Sequence, residues 1–343
     1  MLVASYLTNR KQRVKHYGDK SEWSIMKKGV PQGSILGPLI YNIFINDLFY
    51  SIECEIYNYA DDNTIDIKGN SINDVCQSLE TNAEKCVTWF NSNMMKANPS
   101  KFQFMLMDRK NRCTDDLQIC VNGSYLSPVK SVKLLGINID AKLILNDHVS
   151  GLCKKANKNL NIMTRLSGRI KGTKERIALL DAFLMSSFSY CPTSWHFCGR
   201  SVETKMENLH ERGLRFVMND FTRSYQELLN ITNCDTMILW RLKKIAVFMF
   251  KCLNGHNPKY LCDMFSAKGT SYEFRDGIRI EPYKFKTKTY GYKSLLYAGA
   301  KLWNSLPVFM KISSNVNEFK MKLCDWKCSN MYCMKCKEYE YCN

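Results

Sequence analysis

The chain has 343 residues, 45% of them hydrophobic and 12% aromatic, so it can fold into two or three domains with hydrophobic cores. These fractions exclude a disordered chain, and no run reaches the roughly 18 apolar residues that a membrane-spanning helix needs. Its 49 Lys and Arg against 32 Asp and Glu give a formal net charge of +17, which favours a polyanionic partner, most often nucleic acid. The 16 cysteines, in a chain without a secretory signal, are interpreted as reduced intracellular thiols.

The charge is distributed unevenly along the chain. Residues 40–95 carry two lysines against nine acidic residues, whereas residues 151–176 carry eight basic residues and one acid. An acidic centre beside basic segments suits a site that holds cations and grips a phosphate backbone. Taken alone, the same charges also fit solvated helix faces.

Two helices are predicted in the first hundred residues. Apolar residues spaced three and four apart predict a buried helix from Ile35 to Leu48, after the Gly- and Pro-rich segment 29–38. A capping box at Ser71 begins a second helix, whose apolar stripe continues to Phe90.

Strands are predicted on both sides of the second helix. Alternation over 55–60 and 64–67 predicts a hairpin with Asp61-Asp62-Asn63 at its tip. Asn122-Gly123 predicts another hairpin, and segments 102–107 and 131–139 are predicted to be strands. We therefore expect an α+β fold in which helices cover one face of an antiparallel sheet.

From His148 onward the pattern is mostly helical, with amphipathic stretches that include 174–188 and 205–216. No clear linker marks a domain boundary. We place boundaries near residues 140 and 235, which gives three regions: 1–140, 141–235 and 236–343.

The pair Asp61-Asp62 is the main candidate for chemistry. Two carboxylates held together repel each other, and hard divalent cations with oxygen ligands relieve that repulsion. Phosphoryl transfer by two metal ions requires such a cluster. The Gly-rich segment about 25 residues upstream leads into a helix and allows close backbone approach to a ligand. A plain polar turn is the alternative.

Several motifs, in order and spacing, resemble the reverse transcriptases of non-LTR (LINE-like) retrotransposons. They are Gly29-Val-Pro-Gln-Gly-Ser-Ile-Leu-Gly-Pro38, Tyr59-Ala-Asp-Asp62, Asn98-Pro-Ser-Lys101 and Lys133-Leu-Leu-Gly-Ile137. Segment 5–14 resembles the basic segment before the Gly-rich motif in that family, and segment 148–169 resembles the start of its thumb. Ala300-Lys-Leu-Trp-Asn-Ser-Leu-Pro307 resembles a sequence near the end of such reading frames.

The resemblance implies a role for each matched residue. Asp61 and Asp62 would bind two catalytic Mg²⁺ ions in a polymerase palm, and Lys101 would protonate the departing pyrophosphate. The residues implied to contact primer, template or nucleotide are Tyr59, Ala60, Pro31, Gln32, Gly33, Leu135 and Gly136. Structural roles remain open as alternatives: a surface charge for Lys101, a loop amide for Gln32 and a bulge for Gly136.

The resemblance also implies partners and a place of action. The partners are an RNA template, a DNA primer or target and deoxynucleoside triphosphates, with action on target DNA in the nucleus and no membrane partner. The oligomeric state stays open. The basic residues expected to contact the nucleic-acid backbone are Lys154, Lys155, Lys158, Arg165 and Arg169.

One motif of the family has no counterpart in this sequence. Its palm contributes a further metal-binding aspartate on a strand well upstream of segment 5–14, and Asp19, in a turn-like stretch, is a poor candidate. We therefore interpret the chain as the carboxy-terminal part of an element's polyprotein, either truncated or decayed. The alternative function is a catalytically inactive remnant that still binds nucleic acid.

The last twenty residues are rich in cysteine. Cys-x₂-Cys is a spacing found in zinc sites, but no second such pair accompanies it. The tail is either a zinc knuckle or a set of free thiols, and the candidate Zn²⁺ ligands are Cys324, Cys328, Cys333, Cys336 and Cys342.

Overall fold

Short antiparallel ladders and helices alternate in the first 130 residues, and helices dominate the rest. The computed structural model describes residues 2–108, 116–166, 168, 170–265 and 279–326. The chain divides into two units, Met1–Lys130 and Ser131–Asn343, and the boundaries near 140 and 235 stay predictions. The α+β class is confirmed. Among the described helices, none is both long and apolar enough to cross a membrane.

In its described residues, the first unit combines four α-helices with four antiparallel ladders. The elements are α1 (Leu2–Leu7), β1 (Lys11–Gln12), β2 (Lys15–His16), β3 (Asp19–Lys20), β4 (Ser24–Ile25), α2 (Leu36–Ile45), α3 (Leu48–Ser51), β5 (Glu55–Tyr59), β6 (Asp62–Asp66), α4 (Ile72–Ser92), β7 (Ile119–Val121) and β8 (Ser124–Leu126). The ladders are β1–β4, β2–β3, β5–β6 and β7–β8, all antiparallel. The expectation of one continuous sheet is wrong for the described residues, because each strand pairs only within its own hairpin.

Helix α4 holds the first unit together, as its apolar stripe predicts. Ser71 caps it by accepting a hydrogen bond from the backbone N–H of Asp74 at 3.4 Å. One side of α4 packs with Phe104 and the β7–β8 hairpin. Another side packs through Cys86 against Leu48 and its neighbours. Segment 102–107 is not a strand, because its one ladder contact is a single bridge between Phe104 and Pro128.

The helix predicted from Ile35 to Leu48 is divided, because α2 ends at Ile45 and α3 begins at Leu48, and the expected burial of its whole apolar stripe is wrong. Ile45 and Leu48 are buried against α4, whereas Ile35 is 95% exposed and Ile43 is 66% exposed. The reason is that the described part of the unit packs against only one side of this helix.

The second unit begins with a hairpin and continues as helices. The elements are β9 (Ser131–Leu134), β10 (Ile137–Asp140), α5 (Asn146–Leu166), α6 (Thr173–Leu179), α7 (Pro192–Trp195), α8 (Arg200–Met218), α9 (Tyr225–Thr232), α10 (Met237–Leu253), α11 (Lys259–Asp263), α12 (Leu295–Ser305), α13 (Val308–Lys311) and α14 (Val316–Cys324). A π-helical and a 3₁₀ turn extend α6 to Phe188. The single strand predicted over 131–139 is wrong, because a turn divides it.

Among the described residues of this unit, two hydrophobic cores are formed, and α10 contributes to both. The first core includes α5, α8 and Met237, and the second includes the rest of α10 with α12 and α14. Arg241 of α10 is fully buried: its guanidinium donates to Glu203 Oε1 at 2.5 Å and to the His196 carbonyl at 3.0 Å. The same group lies 5.7 Å from the ring centre of Trp195.

A buried polar network links three helices of the first core. The Tyr225 hydroxyl donates to Glu207 Oε2 at 2.7 Å, and His210 Nδ1 lies 2.8 Å from the same hydroxyl. Glu207 also accepts the backbone N–H groups of Met237 and Ile238 at the start of α10. Burial lowers the pKa of His210 to about 4, so the ring is neutral at pH 7.

Candidate active site

The two adjacent aspartates lie at the end of the β5–β6 hairpin. Tyr59 pairs with Asp62 across the ladder, so Ala60 and Asp61 form a two-residue turn. The predicted tip is therefore shifted by one residue, and Asp62 is the first residue of β6. Ala60 has a φ of 53°, in the left-handed region that glycine occupies most easily. Alanine at this position costs about 1 kcal/mol of backbone strain beside the candidate catalytic residues.

Two asparagines fix the backbone of this turn. Asn58 Nδ2 donates to the Ala60 carbonyl at 2.8 Å and to Asn63 Oδ1 at 2.9 Å. Asn63 Nδ2 in turn donates to the Asp61 carbonyl at 3.3 Å. Because the amides satisfy the turn carbonyls, the aspartate side chains are not used to hold the turn together.

Both carboxylates are free to bind a cation. Asp61 and Asp62 are exposed, and neither makes an ion pair with a described residue. Exposed, adjacent carboxylate oxygens are the donors that hard divalent cations prefer, so the pair fits such an ion. Within the described residues, however, no cluster of three or more potential metal-ligating side chains occurs.

The Gly-rich segment forms a tight turn that leads into α2. The carbonyl of Pro31 accepts the N–H of Ser34 at 3.3 Å, and Gly33 has a φ of 77°. Gln32 and Gly33 are exposed at this turn. A side chain on Gly37 would place its Cβ 2.8 Å from Ser34 Oγ and 3.2 Å from the Pro31 carbonyl, so only glycine allows this close packing.

Tyr41 is a residue of this site that sequence reasoning missed. It lies on α2, and the negative charge of Asp61 adds to burial in raising the pKa of its phenol. The helix that follows the Gly-rich turn is therefore close enough to the aspartate turn for an electrostatic effect. In the sequence, Tyr41 is distinguished only by its position seven residues after Ser34, and this position does not indicate that it lies near Asp61.

Lys101 lies at the end of a 3₁₀ turn, Pro99–Lys101, and is exposed. Asn98 Oδ1 stabilises the turn by accepting the N–H and the hydroxyl of Ser100 at 3.1 and 2.8 Å. No hydrogen bond or ion pair joins Lys101 to either aspartate. Its catalytic role therefore stays a prediction.

Leu135 and Gly136 form the turn of the β9–β10 hairpin. Their φ values are 46° and 85°, so both residues are left-handed, as the commonest two-residue hairpin turns require. The hydroxyl of Tyr190 donates to the Leu135 carbonyl at 2.8 Å and braces the turn within the second unit. Gly136 is thus a turn residue and not a bulge.

The basic residues of α5 are on its solvent face. Lys154, Lys155, Lys158 and Arg165 are exposed, and the opposite face, which includes Ala156, is buried. Arg169 and the tail cysteines Cys328, Cys333, Cys336 and Cys342 lie outside the described residues, and Cys324 is exposed at the end of α14.

Arg176, farther along the basic segment, is not free for a ligand. Its guanidinium donates to the carbonyls of Ile170 and Phe216 at 2.8 and 3.0 Å and lies over the Phe216 ring. This arginine holds the segment before α6 against α8.

Comparison with known proteins shows which family the segment around Asp61 and Asp62 resembles. Residues 2–139 match the family described as reverse transcriptase (RNA-dependent DNA polymerase). The resemblance to reverse transcriptases of non-LTR elements is confirmed. The reverse transcriptase match contains the Gly-rich turn, the aspartate turn, Lys101 and the Leu135-Gly136 turn, and it ends before α5.

Curated relatives extend the similarity beyond the reverse transcriptase segment. A probable RNA-directed DNA polymerase from transposon BS of Drosophila melanogaster is 25% identical over 63% of this chain and 25% of its own length. The RNA-directed DNA polymerase from mobile element jockey of the same species is 28% identical over 44% of this chain and 17% of its own length. A Pol polyprotein from type-1 retrotransposable element R1 of Nasonia vitripennis is 26% identical over 60% of this chain and 66% of its own.

The chain spans a quarter or less of the length of the two Drosophila relatives. No solved structure matches it.

Proposed function

We propose that this chain carries the catalytic hairpin of an RNA-directed DNA polymerase from a non-LTR retrotransposon. Residues 1–140 would be part of the palm, 141–235 a thumb-like region and 236–343 a carboxy-terminal region. The observation that carries the proposal is the strained Ala60-Asp61 turn, which presents two free carboxylates inside the reverse transcriptase match. Strained backbone of this kind is concentrated at functional sites.

Asp61 and Asp62 are the residues that would hold Mg²⁺. Bound Mg²⁺ would activate a primer 3′ hydroxyl and stabilise the charge of the leaving pyrophosphate. The chain's own contribution is to keep both carboxylates exposed at a turn whose backbone carbonyls are held by the amides of Asn58 and Asn63. Tyr41 lies within the electrostatic range of Asp61, whose negative charge adds to burial in raising the pKa of the phenol.

The remaining matched residues would position substrates. The exposed turn at Gln32 and Gly33 offers a side-chain amide and an uncovered backbone for close approach to a base pair. Tyr59, 66% exposed, would lie beside the primer end with Ala60. Lys101 offers a flexible cation for a polyphosphate, and the Leu135-Gly136 turn would contact the primer. The partners would be an RNA template, a DNA primer or target and deoxynucleoside triphosphates, in the nucleus.

A second candidate is an inactive remnant that binds nucleic acid. The observation in its favour is the small donor set: two carboxylates, with no third ligating side chain grouped with them in the described residues. Mg²⁺ prefers six oxygen ligands in near-ideal octahedral geometry. Most of each shell would then depend on water and the nucleotide's phosphates.

Primer extension separates the two candidates. We expect the chain alone to extend a primer on an RNA template very weakly or not at all. Fusion to the upstream palm segment of a related element should restore extension, and Asp61→Asn in that fusion should abolish it. Asp66→Asn is the matched control, because Asp66 lies in the same hairpin but pairs with Lys68 at 3.4 Å.

Two results would contradict this reasoning. A fusion that binds primer and template but does not extend would favour the inactive remnant. Robust Mg²⁺-dependent extension by the unfused chain would show that a third carboxylate is present, and Asp19→Asn would be the first variant to examine.

A further inference from the structure

Residues 10–26 form a long exposed hairpin before the Gly-rich turn. The inner ladder pairs Lys15 with Lys20, and the outer ladder pairs Lys11 with Ile25. The end turn is Tyr17-Gly18, with φ values of 47° and 100°. One extra residue on the second strand, between the two ladders, makes a bulge.

One face of this hairpin is rich in positive charge and apolar groups. Lys11, Arg13 and Lys15 alternate along the first strand and so share a face, and Lys20 joins them because it is paired with Lys15. The Arg13 guanidinium lies 4.5 Å from the ring centre of Trp23, which places the indole on the same face.

One of the two acidic residues of the segment lies on the opposite face, because Asp19 is paired with His16. The other, Glu22, lies at the bulge, where strand alternation does not assign it to a face. We call the set Lys11, Arg13, Lys15, Lys20 and Trp23 the basic hairpin face.

The hairpin gains little from its own contacts. Every residue from 11 to 25 is exposed, and none of the four cations makes an ion pair with a described residue. Like charges directly opposite each other, as at Lys15 and Lys20, destabilise a ladder. A two-stranded hairpin without a buried face is marginally stable. A polyanion on this face would remove the repulsion and supply the missing contacts.

We propose that the basic hairpin face binds single-stranded nucleic acid. The cations span about 13 Å of strand from Lys11 to Lys15 and would follow the phosphates. Trp23 is 55% exposed with one ring face covered by Arg13, so the other face can stack on a base. Tyr17, 97% exposed at the turn, offers a second stacking surface.

Stacking distinguishes a single strand from a duplex, whose bases are already stacked and are inaccessible to such a ring. This inference rests on the proposed function and deepens it, because it assigns a surface outside the Asp61-Asp62 turn to the single-stranded nucleic acid.

Binding by the full chain tests the proposal. Fluorescence anisotropy would be measured with labelled 12-nucleotide oligo(U), 12-nucleotide oligo(dT) and a 12-base-pair duplex. The variant Lys11→Ala/Lys15→Ala/Lys20→Ala should weaken single-strand binding about a hundredfold at 0.1 M KCl. It should also lower the log–log salt slope by about 2, since each phosphate contact contributes about 0.7 on single strands.

The matched control removes the same charge from exposed lysines of the second unit: Lys259→Ala/Lys284→Ala/Lys320→Ala. It should bind within twofold of the wild type. Trp23→Leu should weaken binding of the single strands more than binding of the duplex. Equal losses for the triple variant and its control, or a Trp23→Leu loss that is largest on the duplex, would overturn the proposal.

A second measurement uses the unaltered chain and so does not depend on variants that fold. Oligo(U) carrying 4-thiouridine should photo-crosslink to a peptide that contains Tyr17 or Trp23. Crosslinks confined to α5 would overturn the proposal. Preference between oligo(U) and oligo(dT) assigns the strand as RNA or DNA, and either preference supports it. Because these binding and crosslinking measurements require no primer extension, a failure of the polymerase proposal is distinguishable from a failure of this one.

Discussion

The salt dependence of duplex binding should report directly on the exposed face of α5. Lys154, Lys155, Lys158 and Arg165 lie on that face, and none makes an ion pair with a described residue. From Lys154 to Arg165 there are 11 helical steps, or roughly 16 Å of helix axis, which is close to five phosphate spacings of one B-DNA strand. Four contacts therefore fit the available length.

Replacing these four residues with alanine removes up to four phosphate contacts. Each contact contributes about 0.9 to the slope of log affinity against log salt on B-DNA, so the slope should fall by up to about 3.6. The change should be similar for unrelated duplex sequences, since phosphate contacts carry no sequence information.

The assay is anisotropy of a labelled 20-base-pair duplex from 50 to 300 mM KCl. The control, Lys259→Ala/Lys284→Ala/Lys286→Ala/Lys320→Ala, removes the same charge from exposed lysines far along the chain. A slope that is unchanged in the α5 variant, or reduced equally in the control, would refute the assignment of α5 to backbone binding.

Three further outcomes concern stability and metal content. The unfolded imidazole titrates near pH 6.5 and native His210 near 4, so acidification through this range should cost up to about 3 kcal/mol of unfolding free energy. Urea titrations should show that acidification lowers the unfolding free energy of His210→Gln less than that of the wild type. An equal loss would contradict the assignment of this pH dependence to His210. Arg241→Met should lower the free energy of unfolding by about 3–5 kcal/mol, because it leaves Glu203 buried without its ion-pair partner. Adding Glu203→Leu should recover part of that free energy. If nothing is recovered, the unpaired buried charge is not the cause of the loss. If the tail binds zinc, near-stoichiometric metal should be lost in Cys333→Ser/Cys336→Ser, and metal that remains would place the site elsewhere.

Local signals predicted those parts of the fold that depend on local chemistry. The cap at Ser71 and the stripe after it placed α4, and Asn122-Gly123 placed the β7–β8 turn. The β5–β6 hairpin was predicted by its alternation, but its tip was shifted by one residue because Ala60 is not a residue that signals a left-handed turn.

Parts that depend on tertiary contacts were not predictable in this way. Leu135 is left-handed beside Gly136, against the preference of a leucine, and Tyr190 braces that turn from 55 residues away. The stripe of α2 indicated burial, yet periodicity cannot show whether a neighbouring element covers it. The electrostatic effect of Asp61 on Tyr41 likewise depends on how α2 packs relative to the β5–β6 hairpin.

The position of α10 in both hydrophobic cores has a consequence for shortened copies of this gene. A frameshift just after residue 235 would remove Met237 from the first core and the guanidinium of Arg241 from the buried Glu203. The amide N–H groups that Glu207 accepts at the start of α10 would be lost as well. Selection that preserves the helices before residue 235 therefore also preserves the sequence after it, even where that sequence contacts no nucleic acid.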